Sequence, residues 1–230
     1  MTPSPLIELH EVTVRDGAQV ILDNVDLRLD KGDFLAVTGP NGGGKTTLLR
    51  VMLKLKKPTG GTVTYFGDDG LPISRLDIGY LPQKNSIDSH FPLSVREVVA
   101  TGLKSRHHLD KAQKAELVAA TLERLRLQDR AHAPIGEISG GQLQRALLGR
   151  AIISSPSILV LDEPLSYLDR HFIEETYRLL EELAARTTVV LVSHEMSTIS
   201  QMANRHILVD HTVRPCHAHT HHFSPPPCDV

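Results

Sequence analysis

Phe34-Leu35-Ala36-Val37, then Gly39-Pro40-Asn41-Gly42-Gly43-Gly44-Lys45-Thr46-Thr47, then Leu48, Leu49, Met52 and Leu53 at helical spacing, is the stretch that decides the fold. Four consecutive apolar residues read as a strand buried on both faces. Thr46 to Leu55 reads as a helix that Pro58-Thr59-Gly60-Gly61 stops. The loop between them fits G-x-x-x-x-G-K-[ST] over Gly39 to Thr46. Its glycines let successive backbone N–H groups point inward at phosphate oxygens, in conformations other residues avoid. Lys45 supplies a positive charge for the β- and γ-phosphates, and the Thr46 hydroxyl suits Mg²⁺. The helix N-terminus behind the loop favours anions as well. The expectation is a nucleoside triphosphate site.

Upstream, residues 6–14 and 20–29 alternate apolar and polar and read as antiparallel strands joined at Asp16-Gly17. Downstream, Thr62 to Phe66 and Ile78 to Leu81 are strand candidates. From Ser94 the pattern becomes helical. Ser94 and Glu97 have capping-box spacing. Asp110 caps a helix over Lys111 to Leu127, with Val118, Leu122 and Leu125 on one face. A third helix is predicted over Gln142 to Ser154. Strands return at Ile158 to Leu161 and Thr188 to Val192, with a helix over Phe172 to Ala185 between them. That alternation predicts a parallel sheet with helices on its faces. The stretch after Asp210 is rich in His, Pro and Cys without periodicity and reads as irregular or disordered.

Two further stretches carry chemistry. Ile158 to Glu163 is four apolar residues followed by two carboxylates, which places Asp162 at the carboxyl edge of the sheet, where ligands of α/β folds bind. Asp162 suits Mg²⁺, and Glu163 suits a general base acting on water. Ile138-Ser139-Gly140-Gly141-Gln142 stands before the third helix. Ser139 is a good N-cap, and the glycines expose N–H groups at a helix N-terminus. An anion site and an ordinary capped helix start fit these residues equally well.

The bulk properties narrow the class. The chain has 230 residues, 40% of them apolar, with a net charge of −2 and a sequence pI near 6.7. That balance gives no global reason to bind nucleic acid. Its two cysteines, Cys216 and Cys228, fall in the last fifteen residues, so the fold is not a disulfide scaffold and a reducing compartment suits it. No signal peptide is expected from Met1 to Pro5, and no apolar run approaches the ~18 residues of a membrane span. Any membrane role would be peripheral, through a partner.

The order phosphate loop, Gln83, Ile138-Ser139-Gly140-Gly141-Gln142, Ile158 to Glu163, Ser166-Tyr167-Leu168-Asp169 and His194 resembles the ATP-binding cassette (ABC) ATPases over residues 6–210. Ile138 and Tyr167 stand where the family usually has Leu and Ala. The resemblance implies an α/β fold: a RecA-like P-loop core with an antiparallel β subdomain and an inserted helical subdomain. The expected ATP-binding domain is 1–210, with core 1–87 and 156–210 and helical lobe 88–155, followed by a tail at 211–230. It implies ATP and Mg²⁺ as ligands and a head-to-tail dimer with a second copy. ATP would lie between Gly39–Thr47 of one copy and Ser139, Gly140, Gly141 and Gln142 of the other, with Asp169 at the seam. Glu163, His194 and Gln83 are the implied catalytic residues, and Thr46, Gln83 and Asp162 the implied metal residues.

The resemblance further implies a peripheral subunit on the cytoplasmic face of the cell membrane. It would be docked on integral membrane permease subunits and served indirectly by a solute-binding protein, with no nucleic acid. The loop Gly39 to Thr47 and the segment Phe91-Pro92-Leu93-Ser94-Val95-Arg96-Glu97-Val98-Val99 look like the zinc/manganese importer ATPases. The alternatives are a non-transport ATPase of the iron–sulfur-assembly type and an importer of another small solute such as an iron complex. The 94 residues (139 − 45) from Lys45 to Ser139 leave no room for the long coiled coil of the DNA-repair type. One departure concerns the base. Asp16 stands where the family stacks an aromatic residue on adenine, and Arg15 is expected to cover the base instead, worth roughly 1 kcal/mol. In an extended tail His217, His219 and His221 would project to one side beside Cys216, all good Zn²⁺ donors, which makes metal binding there a hypothesis.

Overall fold

The computed structural model describes residues 4–83, 92–165, 170–193 and 201–216. Asp169 and His194, like most of the His-rich tail, lie outside these residues.

Two sheets organise the chain. The first is antiparallel and pairs β2 (Gln19–Asp30), β1 (Pro5–Asp16), β4 (Gly60–Phe66) and β5 (Pro72–Ile73) in that order. The second has the order β10-β9-β3-β8-β7-β6: β10 (Thr212–Pro215), β9 (Arg205–Asp210), β3 (Phe34–Thr38), β8 (Thr188–Val192), β7 (Ile158–Asp162) and β6 (Ile78–Leu81). All its pairs are parallel except β9–β10. Five helices accompany them among the described residues: α1 (Lys45–Met52), α2 (Val95–Ala100), α3 (Lys111–Arg124), α4 (Gly140–Ile152) and α5 (Arg170–Ala184).

The continuous apolar strands are buried on both faces, as a parallel sheet covered on both sides requires. Alternate residues go to different cores. Phe34, Ala36, Leu159, Leu161, Val189 and Leu191 pack with α2, α3, α4 and α5. Leu35, Val37, Ile158, Val160, Val190 and Val192 pack against α1 and the antiparallel sheet. Each fully buried Leu, Ile or Val contributes about 1.5–3 kcal/mol. The strand period of two thus ties the helical side and the β side to one central sheet.

The capping boxes at Ser94/Glu97 and Asp110/Gln113 form with both reciprocal bonds. Val118, Leu122 and Leu125 are buried together. The α3 helix nevertheless stops at Arg124, with Arg126 at φ 54° and a 3₁₀ turn at Gln128–Arg130. The α1 helix likewise ends at Met52, ahead of the proline and glycine pair.

The larger correction is at the C-terminal end. Residues 212–215, read from sequence as the start of an irregular tail, form β10, an edge strand on β9. A four-residue strand shows no periodicity, and an edge tolerates Pro215 because its missing N–H faces away from the ladder. His211 makes the turn at φ 54°. Its N–H donates to the Gly43 carbonyl at 2.9 Å, and its carbonyl accepts from Asp23 N–H at 2.7 Å. The hairpin thereby fastens the glycine-rich loop to β2.

Candidate nucleotide site

The glycine-rich loop leaves the carboxyl end of β3 and turns into α1. Gly39, Gly42 and Gly44 have positive φ of 141°, 81° and 97°. At Gly39 glycine is needed twice over, because a Cβ there would stand 2.0 Å from the Val209 carbonyl oxygen of β9. The loop is therefore held by neighbouring backbone before any ligand arrives.

Lys45 is buried, and its Nζ donates to the Gly39 and Pro40 carbonyls, both at 2.8 Å. Of its three N–H donors, two bind the loop's own backbone and one remains for a ligand. Burial lowers the Lys45 pKa, while the nearby Glu163 and Asp162 carboxylates oppose that shift.

Asp162 ends β7 beside α1, and its Oδ2 accepts from Thr46 Oγ1 at 2.9 Å. It is 1% exposed. Its other oxygen, Oδ1, has no hydrogen-bond partner among the described residues. Burial raises the Asp162 pKa; the Thr46 hydrogen bond opposes this and the Glu163 charge adds to it. A buried carboxylate with one open oxygen, beside a hydroxyl, is a donor set that a hard divalent cation fits.

Glu163 follows in the left-handed region at φ 53°, a conformation that costs a non-glycine residue about 1–3 kcal/mol. Its N–H donates to the Val192 carbonyl of β8 at 3.0 Å, which fixes the turn. Its side chain lines an open cleft of about 280 Å³ together with Lys45, Thr46, Thr47 and Gln83. Asn41, Gly42 and Gly44 form the loop side of that cleft, so strands β3, β6 and β7 deliver all of these groups to one carboxyl edge.

Ser139, Gly140, Gly141 and Gln142 do not line this cleft. They begin α4, two residues earlier than the sequence pattern suggested, because Ser139 is a full N-cap. Its Oγ accepts from Gln142 N–H at 3.2 Å, and Gln142 Oε1 accepts from Ser139 N–H at 3.0 Å. Gly140 is exposed, with open space where a Cβ would stand. The α4 helix is fixed to the Glu163 turn through Gln144, whose Nε2 donates to the Pro164 carbonyl at 3.0 Å.

Arg15 and Asp16 are exposed and do not line the cleft; Gln19 and Ile21 of β2 do. Gln19 pairs directly with Asp16 across the hairpin, and Val20 pairs with Arg15. Directly paired residues share a face. The Arg15 side therefore turns away from the cleft that Gln19 faces, which removes the ground for Arg15 as the base cover. Locating Gln19 required the hairpin register, which begins at the Asp16-Gly17 turn. The Arg15→Ala variant is accordingly expected to bind ATP within about 2-fold of wild type, as an exposed position away from the site predicts. Titration with a fluorescent ATP analogue checks this, and a large loss would restore Arg15 to the site.

Comparison with known proteins agrees with this geometry. The ABC transporter family profile matches residues 22–166. The chain is 35% identical over 212 residues to the zinc uptake system ATP-binding protein ZurA of Listeria innocua, covering 89% of this chain and 82% of that protein. It is 36% identical over 212 residues to the Nod factor export ATP-binding protein I of Cupriavidus metallidurans, covering 89% of this chain and 68% of that protein. Among solved structures, a putative metal-chelate type ABC transporter in an inward-facing conformation matches at 28% identity and TM-score 0.76, over 93% of this chain and 84% of that one. A dimeric ATP-binding cassette in a post-hydrolysis state, bound to ADP and phosphate, matches at 27% identity and TM-score 0.81, over 93% of this chain and 99% of that one.

Proposed function

The chain belongs to the ABC transporter family, and from that premise we propose that it is the ATP-hydrolysing subunit of a membrane transporter that imports a divalent metal ion, zinc or manganese. The observation that carries the ATPase reading is the convergence of Lys45, the Thr46–Asp162 pair and Glu163 on one cleft at the carboxyl edge of the sheet. The metal reading draws on the zinc-uptake relative and the metal-chelate transporter.

In this reading the loop from Gly39 to Thr47 wraps the triphosphate with backbone N–H groups, and Lys45 adds its remaining N–H. Thr46 and Asp162 would hold Mg²⁺, which when bound neutralises charge between the β- and γ-phosphates. Glu163 accepts the proton of the attacking water. Gln83, exposed just after β6, borders both the cleft and the chain that leads into the helical segment, and so reports on the ligand to a partner. His194 and Asp169 keep the roles the family resemblance assigns them, toward the γ-phosphate and the dimer seam.

In the composite site that the family resemblance implies, a second copy supplies part of the donors to the triphosphate. Gly140, exposed, and Gly141, half-buried, stand at the start of α4 away from their own chain's cleft and are then available to the ATP of a second copy. The dimeric nucleotide-bound cassette supports that assembly. Dimer closure becomes dependent on the γ-phosphate, and its loss by hydrolysis releases the dimer. Docked beneath permease subunits at the cytoplasmic face, the pair would convert this cycle into movement of a solute delivered by a binding protein.

A second reading, export of a different solute, has one observation in its favour, the Nod factor export relative. Flux separates the two. Cells lacking this chain are expected to take up less radioactive zinc or manganese, with uptake restored by the wild-type chain and not by Glu163→Gln. Metal uptake that is the same with and without the chain would remove the metal assignment while leaving the ATPase intact.

A further inference from the structure

We infer that a cavity at the amino edge of the parallel sheet is a binding site for a small organic anion, a molecule with an apolar body and one carboxylate or phosphate group. The cavity has a volume of about 530 Å³, within the roughly 300–1,000 Å³ of sites that hold small molecules. Its position follows from the strand order. Gly32 stands just before β3, Asp77 before β6 and Ser157 before β7, and Thr188 opens β8; all four line the cavity. These strands run parallel, so one edge of the sheet collects their starts and the other their ends. The nucleotide cleft, lined by Lys45, Gln83 and Glu163, lies at the far edge, about 15 Å away along a five-residue strand. The two are separate sites, and this one does not rest on the ATPase reading.

The antiparallel sheet forms the facing wall. Leu6 of β1, Phe66 of β4, Ile73 of β5 and Leu76 give that wall apolar side chains. Ile73 is 37% exposed, so part of the apolar surface meets water. Wet apolar surface in a concave site is what the body of a ligand covers with a gain in free energy.

The charges select the other half of the ligand. Both acids in the lining already have cations: Asp68 pairs with Lys31, and Asp77 with Arg106. Arg75 and Arg186 also line the cavity and are exposed, which sets them at its mouth. Neither has a carboxylate partner among the described residues. Arg75 comes from the segment between β5 and β6, and Arg186 from the turn between α5 and β8, so two distant parts of the chain bring unmatched guanidinium groups to one opening. A guanidinium fork matches the geometry of a carboxylate or a phosphate. A neutral or cationic compound would leave both charges unmatched.

The test uses the purified full chain, with the nucleotide cleft filled by excess Mg²⁺ and a non-hydrolysable ATP analogue. Anilinonaphthalene sulfonate, an aromatic body with one anionic group, is expected to bind one site per chain with a rise in fluorescence. Octanoate and octyl phosphate are expected to displace it. Octanol has the same body without charge, and inorganic phosphate has charge without the body. Each is expected to act at least about 10-fold more weakly, the lower end of what a charge-assisted hydrogen bond contributes. Arg75→Gln combined with Arg186→Gln is expected to weaken probe binding by about the same factor. Ala185→Trp, which sets an indole into the mouth from an exposed wall position, is expected to block the site with both arginines in place. An unchanged melting temperature marks each variant as folded. Octanol displacing the probe as well as octanoate does, or both variants binding it like wild type, would overturn the proposal. Displacement of the probe by the ATP analogue would also overturn it, by placing the probe in the nucleotide cleft.

Discussion

The Glu163→Gln chain is expected to bind ATP as well as wild type and to hydrolyse it about 10²- to 10⁴-fold more slowly, the range that loss of a general base costs. The substitution keeps the side chain's size, and the Glu163 turn is held by backbone, through the N–H bond to Val192. What changes is the ability to accept a proton at the mouth of a cleft shared with Lys45 and Thr46. The loop proposed to grip the phosphates is untouched. Removing the Glu163 charge also relieves its repulsion of the buried Asp162 carboxylate, so that Asp162 ionises more readily. Binding should therefore be equal or tighter. With the γ-phosphate retained, the chain should accumulate as a dimer when ATP is added, visible by size-exclusion chromatography. Turnover at the wild-type rate would remove Glu163 from the reaction.

The Lys45→Ala chain is expected to fail one step earlier, at binding. The Lys45 ammonium is tied to two loop carbonyls at 2.8 Å, and those bonds hold it at the base of the loop. A charge-assisted hydrogen bond is worth about 1.5–3 kcal/mol, which is about a 10- to 150-fold loss of ATP affinity. The loss should be larger for ATP than for adenosine, because the lysine is proposed to meet phosphate and not base. Isothermal titration with both ligands measures that difference. ATP affinity within about 2-fold of wild type, the spread of a neutral surface change, would show that the lysine serves the loop's shape alone.

The central architecture was legible because two local signals agreed. The apolar runs at Phe34–Val37, Ile158–Leu161 and Thr188–Val192 had to be strands covered on both faces, and each is. The caps at Ser94 and Asp110 were equally plain, since a capping box is written within four residues. The Thr46–Asp162 contact joins residues 116 apart, and only the combined loop and acidic strand end suggested it. Less was visible where long-range pairing decides. The β9–β10 hairpin shows no period and exists because β9 pairs with β3, more than 160 residues away in sequence. The hold of Val209 and His211 on the glycine-rich loop has no local signature. Arg15 was placed at the base from its position in the chain, whereas hairpin register turns Gln19 and Ile21 to the cleft. Of the two readings of Ser139, the cap is what the structure forms, with both capping-box bonds in place.

Each nucleotide site is proposed to be shared between two copies, and mixing two inactive variants tests this. Gly140→Asp is suited to the purpose. A Cβ there meets nothing within 4 Å, and an acid in the first turn of α4 complements the helix dipole, so the isolated chain keeps its fold. In the dimer that carboxylate would oppose the partner's γ-phosphate. Lys45→Ala damages the other half of the site. Each variant alone should hydrolyse ATP poorly. In a mixed dimer both defects fall on one site and the second site is intact, so an equal mixture should recover roughly a quarter of wild-type activity if copies pair at random in a twofold dimer. A mixture no more active than its components would contradict the shared site and return both halves to a single chain.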